Sequence, residues 1–132
     1  MVKPVNSAAA VTWASRESVA ERSGENVRFT LGGQDTVRDA VGRLEPHLDG
    51  DLPSGWETMF AVYACGELGR TLEPGDTLMF PAESERVFSA AGAVPAELSK
   101  RAMEQVDSGQ TLSFSRRLRQ QEMRQTRRLK LK

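Results

Sequence analysis

Cysteine and histidine are almost missing from this chain. One of each, Cys65 and His47, stands among 132 residues. A lone cysteine excludes an internal disulfide and any cysteine-based zinc site. A Cys–His nucleophile pair would have to use these two residues, and nothing else in the sequence supports one. Cys65, in the apolar run "FAVYACGELG", reads as a small buried residue. His47, in "LEPHLDG", reads as a helix-end residue facing solvent. Aromatics are scarce too, at 6%, and the apolar fraction of 39% is enough for one modest core. No apolar run approaches the roughly 18 residues of a membrane-crossing helix. The start, "MVKPVNSAAAVTW", has one Lys and an Ala run too short for a signal-peptide core. These absences predict a soluble chain without membrane contact, cytoplasmic or held inside a particle such as a virion.

Net charge is also absent, but only by cancellation. Residues 1–99 carry 8 Lys+Arg against 15 Asp+Glu, a net of −7, and residues 100–132 carry 10 against 3, a net of +7. An acidic body is joined to a basic C-terminal arm.

The elements follow from periodicity and turn chemistry. "AVTWAS", Ala10 to Ser15, alternates weakly and predicts a first strand. "RESVAERSGEN" is polar and predicts a loop or a long hairpin turn. In "VRFTLGG", Val27, Phe29 and Leu31 share one face, as in a half-buried strand. Val37, Ala40, Val41 and Leu44 then fall at i, i+3, i+4, i+7, one face of a helix. Asp35 or Thr36 is its expected cap, and Pro46 its expected limit. "TMFAVYACG", Thr58 to Gly66, is almost continuously apolar and predicts a central strand buried on both faces. "TLMFPA" predicts a last strand ended by Pro81. Strand, strand, helix, strand and strand, with the last beside the first, make a β-grasp: an α+β sheet with one helix packed across it.

Sites for chemistry are hard to find. "LGGQDT" lacks the Gly-Lys-Ser/Thr ending of a phosphate loop and reads as a turn. Glu83 and Glu85 alternate along a strand end as solvated surface groups. No metal-ligand cluster stands out. The expectation is a non-catalytic protein without a cofactor.

The residues from Ala10 to Arg86 carry a resemblance. "TWASRESVAERSG", "DTVRDAVGRL", "MFAVYACGEL" and above all "LEPGDTLMFPAES" resemble the small sulfur-carrier proteins of the ubiquitin-like superfamily. The small subunit of molybdopterin synthase and the thiamine-pathway carrier are its familiar members. The resemblance implies a β-grasp body. Members of that family end in Gly-Gly, whose carboxylate is adenylated and converted to a thiocarboxylate. Here the two positions are Glu85 and Arg86, and the chain continues, so sulfur transfer would require cleavage near "SAAGA", Ser89 to Ala93.

The organisation read from the sequence is an N-terminal tail at 1–9, a β-grasp domain at 10–86 and a helical or extended basic arm at 87–132. "AVPAELSKRAMEQVDSG" predicts a helix that opens at Pro95, carries Leu98, Ala102 and Val106, and ends at Gly109. Ser113 or Ser115 would cap another. Arg116, Arg117, Arg119, Arg124, Arg127, Arg128, Lys130 and Lys132 follow. Six Arg to two Lys favour bidentate contacts with carboxylates or phosphates. These eight are the candidate binding residues. The expected function is a ubiquitin-like interaction module, a subunit of a larger assembly, whose arm meets a neighbouring acidic protein or nucleic acid. The acidic body of the same chain is a third candidate partner for the arm. A processed sulfur carrier and a nucleic-acid-binding accessory protein are the alternatives.

Overall fold

The computed structural model describes residues 12–114. It has an α+β fold, a three-stranded antiparallel sheet with helices packed on it. Strand β1, Val19–Ser23, turns through Gly24, whose φ of 60° lies in the left-handed region, into β2, Asn26–Thr30. The hairpin aligns Val19 with Thr30 and Ser23 with Asn26. Helix α1, Val37–Gly42, is followed by a 3-10 turn, Glu45–His47, and by helix α2, Trp56–Leu68. Strand β3, Thr77–Pro81, pairs with β2, and helices α3, Ser84–Ala91, and α4, Ala96–Asp107, complete the body.

Several expectations hold. Val27 and Phe29 of β2 point into the core and Arg28 points out. Thr36 caps α1 by accepting a hydrogen bond from the Asp39 N–H at 3.1 Å, which satisfies one orphan donor of the first turn. The predicted Pro95 helix is α4, and Gly109 just beyond it has φ 65°, the left-handed position that closes many helices.

Four expectations are corrected. Residues 12–15, the described part of the expected first strand, form no strand. The part of that stretch within the described residues turns back on itself, with the Arg16 N–H on the Trp13 carbonyl at 3.1 Å. The strand lies instead in the segment read as a loop. As an edge strand with mostly exposed side chains, β1 needs no apolar alternation. The buried run Thr58–Gly66 is helix, not central strand. It is apolar all round because it is covered all round: α1, α3 and α4 pack against it, and its Phe60 meets Phe29 and Phe80 of the sheet. The last strand pairs antiparallel with β2, on the side away from β1, rather than near the first strand. Glu83 and Glu85 do not alternate along a strand end. They sit at the N-cap and first turn of α3.

The core runs past Arg86. Val87, Ala102, Val106 and Leu112 join Val27, Phe29, Phe60 and Phe80 in one buried cluster. The Phe60 ring meets Phe80 edge-on, with centroids 4.9 Å apart, and Phe29 at 6.1 Å. Gln105 of α4 ties that helix to the body with both ends of its amide, bonding the Leu72 N–H and carbonyl at 3.0 and 2.8 Å. Glu85 and Arg86, the positions that the resemblance sets against a terminal Gly-Gly, lie in α3.

Candidate interaction surface

Past the Pro81 end of β3 the chain is pinned to the segment that leaves the 3-10 turn. The Asp49 N–H donates to the Ala82 carbonyl at 2.8 Å, and the Ser84 N–H donates to the Asp49 carbonyl at 3.1 Å. This short parallel bridge holds two loops side by side and opens a cleft of about 720 Å³ between residues 49–53 and α3. Met59 and Phe88, both half-buried, and Pro53 give it an apolar floor. Asp49, Asp51, Glu83 and Glu85 stand on its rim.

These carboxylates are not equivalent. Asp49 is held by Arg22 in a two-pronged pair at 2.9 and 3.0 Å, and its hydrogen bonds from that guanidinium keep its carboxyl below the usual range. Asp51, Glu83 and Glu85 make no ion pair with any described residue. Ser84 also lines the cleft and is only 2% exposed. Its Oγ has no hydrogen-bond partner among the described residues and lies where a side chain at Gly50 would meet it. No fully enclosed side-chain oxygen or nitrogen lacks a partner, so this hydroxyl opens on the cleft.

At the other end of the sheet lies a structural knot. The Asp35 carboxylate accepts the Ser18 N–H at 2.8 Å and two bonds from Arg43 at 3.1 and 3.2 Å. Burial raises its pKa, but the bonds from Arg43 and Ser18 outweigh burial and hold it below the ordinary value. The Ser18 hydroxyl accepts the Gly32 N–H at 2.8 Å. Here the root of the C-terminal arm is fastened: the Leu112 N–H donates to the Asp35 carbonyl, and the Ser113 hydroxyl donates to the Ala14 carbonyl. Thr111, not Ser113, caps the turn that follows, through the Phe114 N–H, and Ser115 lies outside the described residues.

The eight cations singled out from the sequence, Arg116 through Lys132, lie outside the described residues. Cys65 is fully buried, as expected, and burial pushes its thiol up to about 12. Tyr63 is raised to about 12 as well, by burial and then by Glu67. Neither is poised as a nucleophile or base near neutral pH. No hydrogen bond joins His47 to Cys65; the backbone carbonyl of His47 accepts from Arg22. No set of three or more His, Cys, Asp or Glu among the described residues could hold a metal ion. No helix among them is long and apolar enough to cross a membrane.

Sequence reasoning missed the cleft because its walls come from segments read as a loop, as a strand and as the start of the arm. A signal was present: Ser84, Val87, Phe88 and Ala91 follow i, i+3, i+4, i+7, and acidic residues open the pattern.

No family model, no curated protein and no solved structure matches this chain.

Proposed function

We propose that this chain is a non-catalytic interaction module, a subunit of a larger assembly, whose acidic body and basic arm each bind a partner of opposite charge. The observation that carries the reading is the division of charge. Residues 12–114 hold 9 Lys+Arg against 17 Asp+Glu, a net of −8, and residues 115–132 hold 8 against 1, a net of +7. Unpaired rim carboxylates over an apolar floor give the body a docking cleft rather than a uniformly solvated surface. The arm, with its Arg bias, is suited to carboxylates on a protein neighbour. The likeness to ubiquitin-like carriers, and with it a β-grasp ancestry for the body, belongs to this reading. It rests on the hairpin, the helix after it and the strand that follows Gly75. The antiparallel β3 is where the body departs from that arrangement.

The test is binding by the purified full chain and by a form with Arg116, Arg117, Arg119, Arg124, Arg127 and Arg128 changed to Gln. Each is titrated with an acidic polypeptide and with duplex DNA and RNA at rising salt. The full chain should bind the acidic polypeptide, and the changed form should lose it. If nucleic acid is bound instead, with log affinity falling by about 0.9 per phosphate contact per decade of salt, the arm's ligand is nucleic acid. Equal binding by both forms would remove the arm from the function.

A further inference from the structure

We propose that the cleft between residues 49–53 and α3 receives the basic arm, residues 115–132, of a second copy of this chain, so that copies join head to tail. This rests on the reading of the arm as a ligand for acidic protein surfaces and names that surface. Three observations support it. The first is chemical fit. The arm interleaves Arg and Lys with Leu118, Met123, Leu129 and Leu131. The cleft offers carboxylates at Asp51, Glu83 and Glu85 that have no described ion-pair partner, above the apolar Met59 and Phe88. A guanidinium binds a carboxylate in two-pronged fashion, and an aliphatic side chain from the same peptide can cover the floor.

The second observation is an almost wholly buried polar side chain, Ser84, on the cleft wall. Its Oγ has no described partner and opens on the cleft. A hydroxyl that opens on the cleft can donate to or accept from a peptide amide or a Gln side chain of the arm.

The third is placement. The arm leaves the body at Ser113–Phe114, whose backbone is tied to Gly33, beyond the Thr30 end of β2. The cleft is tied to Ala82, beyond the Pro81 end of β3, which pairs with Asn26 at the opposite end of β2. At about 3.3 Å per residue the five residues of β2 alone set the two ends roughly 13 Å apart. An arm bound to its own cleft would spend its first residues, with Arg116 and Arg117, crossing the body. An arm reaching a neighbour meets the cleft with all its cations. A donor at one end and a receptor at the other make a heterologous contact, which repeats as a chain or closes as a ring.

The test is complementation between two variants of the full chain, followed by sedimentation velocity at low and high salt. One carries Asp51→Lys, Glu83→Lys and Glu85→Lys and keeps its arm. The other carries the six Arg→Gln changes in the arm and keeps its cleft. Near-ultraviolet circular dichroism checks the fold, and Asp51→Asn with Glu83→Gln and Glu85→Gln serves as a cleft variant of unchanged shape. The unaltered chain should form dimers and larger species that dissociate in high salt. Each variant alone should be a monomer. The equimolar mixture should form a one-to-one dimer that grows no further. A chain that stays monomeric at every concentration, its arm free or on its own cleft, overturns the proposal. So does a mixture that stays monomeric. Neither result touches the arm's binding to an acidic polypeptide, which is read separately and decides the broader reading.

Discussion

Asp35 shows how much a single buried carboxylate can organise. It holds Ser18 and Arg43 through its side chain and Leu112 through its backbone, so three distant segments meet at one residue. Asp35→Asn keeps the shape but removes the charge, and it should cost about 2 kcal/mol of stability at neutral pH, read by chemical denaturation. Because the folded state holds this carboxyl below its ordinary pKa, its stabilisation is complete above the unfolded value near ~3.9 and is lost as pH falls through the depressed one. The difference between the two proteins should therefore shrink below roughly pH 4. Gly33 is fixed by close approach: a Cβ there would meet the Ser113 hydroxyl and the Ala14 backbone. Gly33→Ala should cost about 1–3 kcal/mol and loosen the arm's root, visible as faster amide exchange at Leu112 and Ser113. Cys65, buried and with its thiol raised to about 12, should react with thiol reagents at least ~100-fold more slowly than in denaturant.

Among the elements, the strands with a half-buried pattern were legible and the fully buried helix was not. β2 and β3 alternate because one face meets the core and the other meets solvent, as Phe80 and the 64% exposed Met79 show. α2 has no polar face, so periodicity could not separate it from a strand. Its length and the glycines at either end, Gly55 and Gly69, both at positive φ, were the better guides. Phe60→Ala in α2 should cost about 3–5 kcal/mol, since that ring touches Phe29, Tyr63 and Phe80. Met79→Thr, on the open sheet face, should change stability by less than about 0.5 kcal/mol. β1 escaped notice for the opposite reason. It buries little, and only its pairing with β2 makes it a strand. The cleft was hidden because it forms between segments thirty or more residues apart in sequence, Asp49–Pro53 and Glu83–Ser89, and only their acidic character shows in the sequence.

For the whole molecule, the division of charge was fully legible, because it needs only counting, while the place that uses it needed the fold. The body stops neither at Arg86 nor at the end of the sheet. It takes α3 and α4 into one core, and the arm leaves from the end opposite the acidic cleft. The arm is proposed as a binding device that acts through its charge. The most direct measurement is a pull-down from the native source with the full chain and with the arm-neutralised form, reading protein and nucleic acid together. An acidic protein partner, further copies of this chain included, should be captured by the full chain and lost with the arginines. The same partners held equally by both forms would contradict it and place the function in the body alone.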